Sequence, residues 1–243
     1  LSKQITSASN DPRALVGGRM AGEDRRLQIL NVAVRLFSQR GFRGTTTKEI
    51  AHAAGISEAM VFRHFATKEE LYAAILDHKS CAIGLEDPCA IVADSVARKD
   101  DRAVFETLAY TALQQHENDT EFMRLLLHSA LEGHQLAQMF WDRNVLRMYE
   151  FLSAYILDRQ RDGAFRQIEP TVVVRAFIGM IIHHSLNNNL WDQSRHLLNI
   201  SNERAARDFT EILLKGITHL APQVKTNKRA GIRVSKKKKK LTK

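Results

Sequence analysis

Two groups of residues in this chain could do chemistry. The first lies within SEAMVFRHF, where Arg63 can form a bidentate pair with guanine, Glu58 can accept from the cytosine amino group, and Ala59 or Met60 can meet a thymine methyl. Phe62, beside them, either faces the same way or packs against a supporting helix. The second group is rich in histidine: His128 and Glu132 stand i, i+4 with His134 close by, and His183 adjoins His184. That spacing allows divalent-metal ligation to be imagined, but adjacent histidines point in different directions on a helix. No H-E-x-x-H, clustered cysteine site, G-x-G-x-x-G or phosphate-binding loop accompanies them, so no catalytic residue, metal site or cofactor is expected.

The elements that would position the first group announce themselves by their caps. Thr46 lies three residues before Glu49 and Thr67 three before Glu70, so each pair can satisfy backbone donors reciprocally at a helix start. Gly55 ends the first short helix, Ile56 plugs the turn, and Ser57 caps a second helix from Glu58 to about His64. So short a connection forces a steep crossing, the geometry in which a second helix can enter a major groove. Ile50, Ala51, Val61 and Phe65 read as the buried members, which leaves Glu58, Ala59, Met60, Phe62 and Arg63 mostly outside. Ahead of them, Ile29, Val32, Ala33, Leu36 and Phe37 give one apolar face to a supporting helix from Arg25 to Arg40. Asp24 or Glu23 near its start and Arg40 near its end suit the helix dipole, and Gly41 is its natural stop.

The order of that amphipathic helix, GFRGTTTKEIAHAAGIS, VFRHF and TKEEL resembles the N-terminal domain of the TetR/AcrR family of transcriptional regulators over about the first eighty residues. The resemblance implies an all-α fold: a three-helix helix-turn-helix DNA-binding domain, then a larger helical ligand-binding and dimerisation domain reached through a fourth helix. Carried over by position, Thr47, Lys48, Ser57, His64 and Lys68 match phosphate-anchoring places, which set register without reading sequence. The family often has tyrosine where Phe62 stands, so a hydroxyl contact to phosphate is absent here. The family is usually dimeric and ligand-responsive and most often represses. Ligand binding shifts its fourth helix, and here Glu69 to Lys79 would transmit that shift.

The remaining sequence accommodates such a plan. With 243 residues, 44% hydrophobic and 26% charged, the chain can bury a sizeable core in two domains. Boundaries fall at 1–23 (a flexible arm), 24–70 (the helix-turn-helix domain), 71–221 (the second domain) and 222–243 (a disordered basic tail). Ten of the lysines and arginines lie from Lys225 to Lys243 with no acid among them, so of the net charge of +9 the preceding residues carry 9 − 10 = −1. Such a run repels itself and attracts phosphate nonspecifically. The longest apolar stretch, Ala176 to Ile182, is far shorter than the roughly 20 residues a membrane span requires. With no secretory signal in view and only Cys81 and Cys89, a reducing cytoplasm is the expected setting.

Further helices are predicted near Ala90 to Arg98, Arg102 to Glu117, Thr120 to Glu132, Gln135 to Arg161, Pro170 to Trp191 and Asn202 to Leu220, with no strand pattern. Phe177 and Ile181 on one, and Phe209, Ile212, Leu213 and Ile217 on the last, give apolar faces that serve either monomer core or a homodimer interface. Dimerisation is the preferred reading, because paired modules read a palindrome one helical turn apart. For a small-molecule effector, pocket candidates on the middle helices are Phe122, Met123, Leu126, His128, Met139, Phe140, Trp141 and Tyr149, although ordinary core explains most of them. The partners expected are therefore double-stranded DNA, a second copy and an effector, with no membrane. The other reading is a helical small-molecule-binding or protein-interaction module that binds no operator.

Overall fold

The computed structural model describes residues 12–82 and 90–219, with side chains over 22–79 and 90–219. The arm through residue 11, both thiols and the basic tail lie outside the described residues. Among the described residues eleven α-helices follow one another: α1 Pro12–Arg40, α2 Thr47–Ala53, α3 Glu58–His64, α4 Lys68–Ala82, α5 Ala93–Ala97, α6 Asp101–Asn118, α7 Thr120–Leu131, α8 Gln135–Phe140, α9 Leu146–Arg161, α10 Pro170–Leu186 and α11 Asn202–Ile217. No strand occurs among the described residues; a single antiparallel bridge joins Phe165 to Thr218.

Several expected boundaries move. The first helix begins at Pro12 rather than Arg25, so the flexible arm does not extend to residue 23. Glu23 and Asp24 consequently sit mid-helix, and the first turn holds no acid to complement the dipole. The helix predicted from Gln135 to Arg161 is continuous but passes through a π-helical turn at Trp141–Val145, and another π-turn, Asn187–Trp191, follows α10.

Two packed cores organise these helices. The first gathers Ile29, Leu30, Ala33, Val34 and Phe37 of α1, Ile50 and Ala51 of α2, Val61 and Phe65 around α3, and Leu71, Tyr72 and Ile75 of α4. It continues into Phe122 and Leu125 of α7 and Leu136 of α8, so α1 is buried on two faces. The second core joins α6, α9, α10 and α11 around Phe105, Leu152, Ile156, Phe165 and Phe177. Ala205 and Ala206 are fully buried, and their small side chains let α11 lie close along α6.

A polar brace crosses this second core. Arg159 on α9 grips both carboxylate oxygens of Asp101 on α6, Nε at 2.8 Å and Nη2 at 3.1 Å, and the Tyr155 hydroxyl donates to the same carboxylate at 2.6 Å. Burial, reinforced by the adjacent carboxylate, raises the Tyr155 hydroxyl well above its ordinary pKa. Removing the carboxylate leaves the Tyr155 hydroxyl and the Nε and Nη2 donors of Arg159 without their acceptor, while Nη1 keeps Asp162 at 2.7 Å. Asp101→Ala is expected to lower unfolding free energy by about 2–3 kcal/mol in urea titrations followed by far-ultraviolet circular dichroism. A loss below about 0.5 kcal/mol, the range of an ordinary surface change, would show the brace to be idle.

Candidate nucleic-acid interface

The helix pair at residues 46–65 is built from local hydrogen bonds. Thr46 Oγ1 accepts from the Glu49 amide at 3.2 Å while Glu49 Oε2 accepts from the Thr46 amide at 2.8 Å, the reciprocal cap expected from sequence. At α4 the return bond differs. Thr67 Oγ1 accepts from the Glu70 amide at 3.0 Å, but Glu70 reaches one residue further back, to the Ala66 amide at 2.7 Å. Helix α2 ends on Gly55 at φ +66°, with its amide donating to His52 O at 3.1 Å and that of Ile56 to Ala51 O at 3.0 Å. This double closure needs a left-handed residue, which glycine adopts without steric cost. Ser57 then caps α3, its Oγ accepting from the Met60 amide at 3.3 Å.

What holds α3 is apolar on one side and polar on the other. Val61 and Phe65 are buried beneath it, with the Arg26 guanidinium 4.8 Å above the Phe65 ring. Thr47 Oγ1 donates to Glu58 Oε1 at 2.5 Å, tying the first residue of α2 to the first residue of α3. Two residues expected at DNA thus engage each other, and Glu58 is half-buried. Ala59 and Arg63 are exposed and Met60 half-buried. Phe62 is 45% exposed, so it faces solvent and does not pack away against α1. Lys48 and Ser57 are exposed and His64 half-buried along the same rim. Between residues 24 and 70, eight lysines and arginines outnumber five carboxylates.

Lys68 has a more confined position than an exposed phosphate anchor. Its ammonium lies 4.0 Å above the centre of the Phe42 ring, and burial lowers its pKa. Phe42 also stacks on His134 at 4.2 Å and meets Tyr72 at 5.0 Å. From the α7–α8 turn, Glu132 Oε2 accepts from the Phe42 amide at 3.1 Å. The carboxylate sits so close to Gly41 that an added Cβ there would lie 2.0 Å from Glu132 Oε1, and Gly41 itself has φ +71°. Sequence reasoning missed this clasp, because the residues it joins are 90 apart in the chain. Glu132 and His134 are therefore not assembled with His128 as ligands, and among the described residues no three histidine, cysteine or carboxylate groups are placed to hold a metal.

Behind the helix pair, a cavity of about 270 Å³ opens among α6, α7, α8, its π-turn and α10. Of the residues named for a pocket, Phe122, Met123, Leu126, Phe140 and Trp141 line it, and His128, Met139 and Tyr149 do not. Met139 borders a separate cleft beside Tyr72 and His134, and Tyr149 rests against Trp141 at 5.7 Å. The polar wall went unrecognised: Gln115, His116 and Asp119 come from the end of α6 and the α6–α7 junction. Asp119 Oδ1 caps α7 through the Phe122 amide at 3.1 Å, and Oδ2 pairs with Lys79 of α4 at 2.5 Å.

The expected dimer residues divide. Phe177, Ile181, Leu213 and Ile217 are buried in the protomer's own second core and are not available as an interface. Phe209 is half-buried against His184, at 5.4 Å between rings, whereas Ile212 is 61% exposed. The outer strip of α10 and α11 is instead Val172, Ala176, Gly179, Ile212 and Gly216, all exposed. Both glycines face open space, with nothing within 4 Å of an added Cβ.

The model of bacterial regulatory proteins of the tetR family matches residues 29–75, the span from α1 into α4 just described. Over that span the chain is similar to the tetR family. The chain is 38% identical over 73 residues to the HTH-type transcriptional repressor Rv3405c of Mycobacterium tuberculosis, a match covering 30% of this chain and 37% of that protein. It is 47% identical over 53 residues to the HTH-type regulator YvkB of Bacillus subtilis, covering 22% and 28%. The matched region thus spans about a third of the curated relatives' length. Over the whole fold, the structure of KstR2 of Mycobacterium tuberculosis aligns at TM-score 0.59 and 22% identity, covering 81% of this chain and 96% of that one. AibR in complex with isovaleryl coenzyme A and operator DNA aligns at 0.58 and 23%, covering 78% and 98%. These two likenesses show the fold.

The clasp at Gly41 yields a measurable coupling. Gly41→Ala is expected to cost about 2–3 kcal/mol of stability, from left-handed strain plus the collision with Glu132. In an E132A background the collision is gone and only about 1 kcal/mol of strain remains. Denaturant unfolding of the four proteins in this double-mutant cycle checks it. Additive costs would show that Glu132 does not crowd Gly41.

Proposed function

We propose that this chain is a dimeric, sequence-specific DNA-binding regulator of transcription, a repressor that a small molecule releases from a palindromic operator in the cytoplasm. It acts by binding and not by catalysis. The observation that carries the reading is the outward face of α3. Ala59, Met60, Phe62 and Arg63 project from a helix held by Val61 and Phe65 at its back and by the Thr47–Glu58 bond at its side. Apolar side chains left outside a well-packed helix are what a groove-reading surface offers to thymine methyls, and Arg63 supplies the guanine-reading fork. Thr47, Lys48, Ser57, His64 and Lys68 surround that face as phosphate contacts, while Glu58 acts chiefly on the angle of α3.

Two copies are brought together by the outer strip of α10 and α11, where Gly179 and Gly216 leave room for close approach of helices. The cavity takes the effector, and its link to the reading head is Asp119, which caps α7 at the cavity wall and pairs with Lys79 on α4. A ligand that favours the arrangement with α4 displaced would lower operator affinity by its differential affinity for the two states. Among the described residues no helix is long and apolar enough to cross a membrane, which accords with action on cytoplasmic DNA.

Fragmented genomic DNA bound to the purified full chain and sequenced is expected to enrich an inverted repeat with half-sites about 34–36 Å apart. On the recovered duplex, Arg63→Ala should lose about 1–3 kcal/mol of preference over substituted sites, whereas Lys68→Ala should weaken operator and random duplex alike. Fluorescence anisotropy measures both. Recovery of no sequence above input, with and without cell extract as a source of corepressor, would overturn the proposal and favour the module that binds no operator.

A further inference from the structure

The cavity's polar wall carries information about what it can hold. None of its lining residues is lysine or arginine, and Lys79, outside the lining, is paired with Asp119 at 2.5 Å. Both Asp119 oxygens are occupied, one by Lys79 and the other by the Phe122 amide. His116 is different. Its Nδ1 lies 2.9 Å from Ser185 Oγ on α10, and its Nε2 has no hydrogen-bond partner among the described residues. Burial pushes the imidazole pKa down to about 4, so the ring is neutral at ordinary pH. The rest of the lining is apolar, including Phe122, Met123, Leu126, Phe140 and Ile182.

Resting on the reading of this cavity as the effector site, we propose that it takes a small, uncharged, largely apolar molecule bearing one hydroxyl or carbonyl group, which hydrogen-bonds to His116 Nε2. A carboxylate or phosphate would enter without a counter-charge, and an ammonium would have to compete with Lys79 for Asp119; either pays the desolvation of a buried charge. The size follows from the volume. At water's packing share of about 30 Å³, a cavity of 270 Å³ holds on the order of ten non-hydrogen atoms. A hydroxyl serves either tautomer of His116, as donor or as acceptor, while a carbonyl serves only the tautomer with hydrogen on Nε2.

Five probes of equal skeleton separate these contributions: phenylbutanol, phenylbutanone, phenylbutanoate, phenylbutylammonium and butylbenzene. Each is titrated into the full chain carrying Trp191→Phe, so that fluorescence reports Trp141 at the cavity wall. Phenylbutanol is expected to bind about fivefold more tightly than butylbenzene and at least about tenfold more tightly than either charged probe. In His116→Leu the advantage of the alcohol over butylbenzene should fall to within about twofold, with butylbenzene still bound. In Ala137→Phe, which fills the cavity, all binding should be lost. Should His116→Leu fail to fold, the ring resonance of His116 in the unsubstituted chain must still shift with phenylbutanol and not with butylbenzene.

Tightest binding by phenylbutanoate or phenylbutylammonium, parity of butylbenzene with the alcohol, or binding of no probe overturns the assignment. Undiminished binding in Ala137→Phe overturns its location. Operator binding is measured on the same samples by anisotropy. Intact operator binding with the wrong probe order sinks this inference and spares DNA recognition, whereas the right probe order without any operator sinks the regulatory reading alone.

Discussion

Burial of Phe122 is the constraint on which the rest of the structure depends. Its side chain is 5% exposed, lies in the core beneath α1 to α4, and at the same time forms part of the cavity wall. Leu125 and Leu136 bury beside it, so the support of the reading helix and the boundary of the cavity are one packed body. Interiors at this density transmit displacement because there is little free volume to absorb it. A boundary drawn at residue 70 therefore separates stretches of chain but not bodies of protein.

Polar contacts hold α4 against that body near both ends. Near its start, Lys68 lies over Phe42, which Glu132 and His134 fix from the α7–α8 turn. Near its end, Lys79 meets Asp119 with side chains 17% and 22% exposed, enough burial to keep salt from screening the pair fully. The pair Arg143–Asp77 also reaches α4, but both side chains are more than half exposed and such pairs contribute little. Movement of α4 thus requires a change at the Asp119 junction or at the Phe42 cage, and the first of these lies in the cavity wall.

The helix-turn-helix was legible in the sequence because its determinants are local. Thr46, Gly55 and Ser57 act through bonds spanning a few residues, and the outward set on α3 follows from a period of 3.6 once Val61 and Phe65 face inward. Five of the residues named for a pocket line the cavity, while its polar wall, brought by α6 and the α6–α7 junction, did not stand out among ordinary helical residues. Of the residues named for a dimer surface, Phe177, Ile181, Leu213 and Ile217 are buried in the chain's own core. Helix α10 is apolar nearly all round, so periodicity marks no unique face, and Phe177 and Ile181 went to the protomer's own core.

The amino-acid order by itself determined the all-helical class, the caps of α2 and α3, and which side chains leave the reading helix outward. Only the tertiary structure decided that Glu132 would clasp Gly41 and Phe42, that Asp119 would pair with Lys79, and that His116 would stand in an apolar cavity. Caps and periodicity are set by neighbours within one or two helical turns, whereas these contacts join residues 40 or more positions apart in the chain, or follow from which helices come to enclose one space.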